Sequence, residues 1–171
     1  MFTVRHEKSS DFDSVYQTNL LAFKGSSEAD LVNLLRKNDP SAISLVAEAD
    51  SRIVGHILFT QAKIISDYKT IRGMALAPMS VHPEFQNRGI GNILVNHGLS
   101  LVQEKKSPFV VVLGHPNYYP RFGFEIASKH GIKPQWEEIP DESFMILILD
   151  RNALHGVKGI AFYREEFNSA L

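Results

Sequence analysis

Gly89 and Gly91 stand two residues apart behind Arg88, within the run from Leu76 to Asn92, LAPMSVHPEFQNRGIGN. The residues before them, Met74 to Val81, read as a strand, and those after them open a helix. The first N–H groups of a helix lack partners inside it, and its dipole puts partial positive charge at that end. Two glycines remove side chains and permit backbone angles that other residues resist, so an anion can approach the amides closely. Arg88 adds a cation in the same turn. The chemistry expected of this stretch is phosphate binding.

Two familiar phosphate loops fit poorly. A P-loop requires Lys-Ser or Lys-Thr directly after its glycines, and Lys69-Thr70 lacks the upstream glycine pattern. A dinucleotide fingerprint requires a third glycine where Leu94 stands, and it belongs after the first strand of its unit rather than mid-chain. A nucleotide-binding α/β protein is therefore the weaker alternative.

The hexapeptide Gln86-Asn87-Arg88-Gly89-Ile90-Gly91 resembles the acetyl-CoA motif [QR]-x-x-G-x-[GA] of the GNAT N-acetyltransferase superfamily, and the preceding MSVHPEF matches its strand ending in Val-x-Pro. A second motif follows about thirty residues on. Tyr119 lies four residues before the pair Gly123-Phe124, and the form YYPRFGF is similar to the YhbS-like branch of that superfamily. The resemblance implies an α+β GNAT fold: a mixed, mostly antiparallel twisted sheet of about seven strands, helices on both faces, and a splay between the fourth and fifth strands. Pro78, which cannot donate to a ladder, suits a bulge in that fourth strand.

It also implies an acetyl-CoA-dependent N-acetyltransferase that transfers acetyl directly to a primary amine, with no metal. Met79 N–H would face the thioester carbonyl; Ser80 and Val81 would line the pantetheine, with Val81 bonding its amides. The amides of Arg88, Gly89, Gly91 and Asn92 would cradle the pyrophosphate, with Gln86, Asn87 and Ile90 also among the cofactor-binding residues. Asn117 would hold the cofactor or an ordered water. Tyr119 would be the catalytic proton donor to the departing thiolate, since a phenol of pKa near ~10 is protonated at neutral pH. Glu28, His56, Glu84 or a water chain would supply the base. A non-catalytic acyl-CoA-binding or regulatory module is the alternative from another class. The acceptor, a small-molecule or peptide amine, would be shaped by Phe23 to Asp30, by Ile64 to Arg72 around Tyr68, and by Lys129 to Glu142 around Trp136. The chain would act as a monomer or a homodimer.

The elements that must position these residues are legible. Phe2 to Arg5 is β-prone. Ser10 to Asp13 reads as a capping box opening a helix, with Phe12, Val15, Tyr16, Leu20 and Phe23 on its buried face. A second helix runs from Ser27 to Asn38, with Leu31, Leu34 and Leu35 apolar. Ile43 to Ala49 and Ile53 to Ile65 form a hairpin around Asp50-Ser51-Arg52. The helix after Gly91 reaches about Lys105, with Ile93, Leu94, Gly98, Leu101 and Val102 facing inward. Phe109 to Gly114 is apolar throughout and reads as a strand buried on both faces, parallel to the one before the loop. Met145 to Leu149 and Gly159 to Tyr163 supply the last strands. Phe122 and Phe124 read as core, and Gly123 as a backbone requirement.

With 171 residues the expectation is a single domain spanning 1–171. Eighteen basic and nineteen acidic residues give a net charge of −1, which points to neither nucleic acid nor an anionic membrane as partner. The absence of cysteine excludes disulfides and thiolate chemistry, and the seven histidines show no metal-ligand spacing. No signal-peptide core or membrane-length apolar run is present, so the expected compartment is the cytoplasm.

Overall fold

A computed structural model describes residues 1–170, which cluster into two compact units. The first unit comprises Met1–Phe59, Ala77–Leu101 and a segment beginning at Glu165. Strand β1 (Thr3–His6) pairs antiparallel with β2 (Ile43–Ala49), which pairs antiparallel with β3 (Arg52–Ser66) in the register Ile43↔Phe59 to Ala49↔Arg52. Asp50 and Ser51 both take left-handed φ values, 48° and 62°, the two-residue turn whose twist matches that of the strands it joins. Between β1 and β2 lie helices α1 (Phe12–Phe23) and α2 (Ser27–Asn38), the latter ended by Pro40.

The helix start differs from the sequence expectation. The carboxylate of Asp11 accepts the Lys8 N–H at 2.7 Å and closes a short 3-10 turn, Ser9–Asp11, that contains Ser10 and precedes α1, while α1 itself has no side-chain cap. Asp11 prevails because Arg5, from β1, grips both its oxygens at 2.7 and 3.0 Å. The buried face of α1 is Val15, Thr18 and Asn19, while Phe23 is exposed. Thr18 Oγ1 donates to the Ser14 carbonyl and Asn19 Nδ2 to the Val15 carbonyl, which favours burial of both, while Asn19 Oδ1 bonds no group among the described residues. On α2, Leu34 is likewise exposed and Ala29 and Val32 take inward places beside Leu31 and Leu35.

Strand β4 (Thr70–Val81) ends in this unit and feeds helix α3 (Ile90–Glu104). Ile90, Leu94, Val95, Gly98 and Leu99 are its buried residues here; Ile93, expected inside, is exposed. Gly98 lets the helix come close: a Cβ there would strike the ring of Phe59 in β3. A polar chain joins α2, β2 and β3 through Glu7, the residue after β1. Arg36 pairs with Glu7 at 2.5 Å, Glu7 accepts from Ser44 at 2.8 Å, and Ser44 Oγ meets His56 Nε2 at 2.9 Å.

The second unit comprises Thr60–Leu76 and Val102–Arg164. The remainders of β3 and β4 turn at Ser66, whose N–H bonds the Lys69 carbonyl. Strand β5 (Phe109–Leu113) runs parallel to β4, from Met74↔Val110 to Leu76↔Val112, and their ladder ends there. Phe109 to Val112 are fully enclosed, as their unbroken apolar sequence requires. Strand β8 (Phe144–Ile148) pairs antiparallel with β5, and β9 (Gly159–Phe162) with β3. Two strands went unread in the sequence because they are too short for any periodicity: β6 (Glu125–Ile126), on β8, and β7 (Ile132–Pro134), parallel to β9. A single turn of helix, α4 (Arg151–Leu154), precedes β9. With these, the described residues form a mixed sheet of nine strands, in which β4–β5 is a parallel pair and most of the others are antiparallel.

Candidate active site

The end of β4 and the turn that follows are held by few bonds of their own. His82 donates its N–H to the Val54 carbonyl of β3 at 2.8 Å. Backbone groups alternate between the two edges of a strand, so the N–H groups of Val81 and Met79 face away from β3. Both residues are half-buried, whereas the Ser80 side chain is buried and its Oγ bonds no group among the described residues. His82 Nδ1 then accepts the Glu84 N–H at 3.3 Å and caps a 3-10 turn, Pro83–Phe85. Gln86 Nε2 donates to the Val81 carbonyl at 3.0 Å and draws the turn back onto the strand.

From there the chain passes through two left-handed residues, Asn87 at φ 61° and Gly89 at φ 83°. A side chain at Gly89 would meet nothing, so it is the φ value and not crowding that calls for glycine. The consequence is a row of bare donors. The N–H groups of Arg88, Gly89, Ile90, Gly91 and Asn92 bond to no acceptor among the described residues, and the first donor to find one is Ile93, on the Gly89 carbonyl at 3.2 Å. Ile90 contributes only its backbone, since its side chain is buried against β3. Phe85 carries two guanidinium groups, Arg88 at 5.2 Å and Arg52 at 5.6 Å from its ring centre. Arg52, from the start of β3, was not found in the sequence because only the hairpin register brings it to this turn. Five unpaired amides beside two exposed cations can hold a phosphate or pyrophosphate.

In the second unit, Tyr119 opens a 3-10 turn, Tyr119–Phe122, closed by Gly123 at φ 94°. Its ring is buried among Tyr118, Phe122 and Phe124, at centroid distances of 5.0, 6.4 and 5.7 Å. Phe124 is core, as its sequence context suggested; Phe122 is half-buried. The Tyr119 hydroxyl bonds to no group among the described residues. Burial raises its pKa well above the ordinary phenol value, with the Tyr118 hydroxyl adding to the effect, so it stays protonated at neutral pH. Asn117, two residues earlier, is exposed.

The three base candidates differ. His56 is fully buried, with Nδ1 at 3.4 Å from Asn19 Nδ2 and Nε2 on Ser44. Burial lowers its pKa to about 4, so it is a neutral link in the core. Glu84 is exposed beside Arg52, and Glu28 is half-buried near the start of α2.

A mixed sheet with a parallel β4–β5 pair, and a glycine turn leading from the fourth strand into a helix with free amides, are the marks of the GNAT acetyltransferase class. The chain belongs to the GNAT acetyltransferase family, whose domain it matches over residues 3–127. It is 36% identical over 143 residues to the uncharacterized N-acetyltransferase YjhQ of Escherichia coli K12, covering 82% of this chain and 79% of that one. It is 32% identical over 148 residues to the uncharacterized N-acetyltransferase YhbS of the same strain, covering 86% and 87%. The crystal structure of Escherichia coli YhbS in complex with CoA superposes with a TM-score of 0.89 at 30% identity, over 98% of this chain and 92% of that one. A GNAT family acetyltransferase from Brucella melitensis in complex with acetyl-CoA gives 0.76 at 27% identity, over 98% of both chains.

Proposed function

We propose that this chain is an acetyl-CoA-dependent N-acetyltransferase, a single catalytic domain that transfers acetyl directly to a primary amine. The row of unpartnered amides from Arg88 to Asn92 carries the reading, because such a row is stable only where an anion or water satisfies it. The CoA and acetyl-CoA complexes of the two similar structures support it.

Bound acetyl-CoA supplies a thioester carbonyl that the amine attacks. In this reading Arg88, Gly89, Gly91 and Asn92 give their N–H groups to the pyrophosphate, and the Arg88 guanidinium screens its charge. Val81 offers its backbone to the pantetheine amides. Met79 N–H donates to the thioester oxygen, a donor worth ~3 kcal/mol as negative charge develops there. Tyr119, protonated at neutral pH and bonded to no acceptor among the described residues, passes its proton to the departing sulfur, and the proton lost by the attacking nitrogen travels through water and restores the phenol. Asn117 holds the cofactor or a water from its exposed position. The acceptor is a small-molecule or peptide amine, the setting the cytoplasm, and the working state a monomer or homodimer.

Release of free thiol from acetyl-CoA, measured across a panel of amines, tests the reading. Turnover with at least one amine is expected, together with calorimetric binding of CoA. Tyr119→Phe is expected to lower kcat by roughly 10²-fold while leaving CoA affinity within about twofold. Absence of any heat on titrating CoA would overturn the reading; CoA binding without turnover of any amine would move the chain to the binding-module class.

A further inference from the structure

No group among the described residues bonds the Tyr119 hydroxyl, so its position is set by how the ring is packed. Three aromatic neighbours, Tyr118, Phe122 and Phe124, touch the ring edge-on or tilted. The fourth side of its seat is a backbone. A Cβ built on Gly114 would overlap Tyr119 Cε2, with Cδ2 at 3.0 Å and Cζ at 3.4 Å, and its three nearest atoms all belong to that one ring. Gly114 follows directly on β5, whose last residue is Leu113, and its N–H is fixed to the Ser143 carbonyl at 2.9 Å. Its φ lies outside the left-handed region, so glycine is not needed there for backbone reasons. Glycine at 114 serves the tyrosine.

We propose that Gly114 is a positioning residue for Tyr119: the bare α-carbon at the end of β5 is the floor on which the phenol ring rests, and it fixes where the hydroxyl stands. The inference rests on the role given to Tyr119 above. A methyl group at 114 fits the backbone, and the strand's bond to Ser143 holds it in place. What must give way is therefore the ring, pivoting about a side chain whose hydroxyl has no tether. A displacement of about 1 Å at a reacting group costs on the order of 10²-fold in rate.

The test is a double-mutant cycle on thiol release. Gly114→Ala is expected to lower kcat at least tenfold while KM for acetyl-CoA and calorimetric CoA affinity change less than twofold. In a Tyr119→Phe background the same glycine substitution is expected to cost nothing more, because the hydroxyl it misplaces is already gone. Wild-type kcat in Gly114→Ala alongside an impaired Tyr119→Phe overturns the proposal and leaves the role of Tyr119 standing. An equal loss in both backgrounds also overturns it, since Gly114 would then act by another route. Full activity of Tyr119→Phe removes the role of Tyr119 and this inference with it. Where Gly114→Ala fails to fold, the same substitution is made in a Phe122→Leu background, which gives the ring room to yield, and is read against Phe122→Leu alone. The cycle with Tyr119→Phe then supports or overturns the proposal on the same outcomes.

Discussion

Gln86 Nε2 donates to the Val81 carbonyl at 3.0 Å, so the first residue of the glycine motif is tied to the last residue of β4. The bond spans the 3-10 turn Pro83–Phe85 and sets the direction in which the following amides point. Its loss releases the turn without touching the chemistry of transfer. A hydrogen bond of this kind is worth about 1 kcal/mol. Gln86→Ala is therefore expected to weaken CoA binding about fivefold by calorimetry and to leave kcat at saturating acetyl-CoA unchanged; a large fall in kcat would show that Gln86 does more than order the turn.

His56 predicts a pH dependence of stability. Burial holds its folded-state pKa at about 4, opposed by Glu7 and reinforced by Arg36. In the unfolded chain it titrates near ~6.5. Between these values the unfolded chain binds a proton that the folded one refuses, so stability is full above ~6.5 and declines as pH falls toward 4, at most roughly 1.4 kcal/mol per pH unit. Denaturant midpoints measured from pH 7 to pH 4 should show this slope, and His56→Gln should flatten it. A slope unchanged in the variant would place its source elsewhere.

Asp11 acts in a lower window. The Arg5 guanidinium, helped by the Lys8 N–H, holds its carboxyl below the usual carboxylate value against the opposing effect of burial. A depressed pKa stabilises the folded state above the unfolded value, near ~3.9, and that contribution is lost as pH falls through the folded value below it. Asp11→Asn is expected to cost roughly 2 kcal/mol at neutral pH, in the range for hydrogen bonds to charged groups, and to shrink the acid limb below pH 4. An unchanged acid limb, followed by circular dichroism, would contradict it.

Gly98 is held by packing alone. An added methyl would strike the Phe59 ring, itself fully buried in β3, so either helix or ring must move. Overpacking of this kind costs typically ~1–3 kcal/mol. Gly98→Ala is expected to lower the melting midpoint by several degrees, and Gly98→Ala with Phe59→Leu to recover part of the loss. A midpoint equal to wild type would mean that α3 has slack at this point.

Much of the scaffold is legible in the chain because the patterns are long. Ser27 to Asn38 has a helical stripe and a proline stop; Ile43 to Ala49 and the β3 segment flank a polar turn; Phe109 to Val112 cannot be anything but enclosed. The errors fall where polar residues find local partners. Thr18 and Asn19 are buried in place of Phe23 because each bonds a carbonyl one turn back, which no apolar count registers. Strands of two or three residues, such as β6 and β7, leave no period to read.

By itself the sequence determined the glycine turn and its order in the chain: a strand, Gln86 to Gly91, a helix, a buried parallel strand, then Tyr119. These are local, because backbone angles at Asn87 and Gly89 and the missing helical acceptors follow from neighbours in the chain. Only the tertiary structure decided which side chains stand beside them. Arg52 reaches Phe85 through a hairpin register, His56 becomes a neutral core link through burial, and Gly114 meets the ring of Tyr119 through a fold in the backbone five residues long. Each depends on distances through space, and spacing along the chain does not carry them.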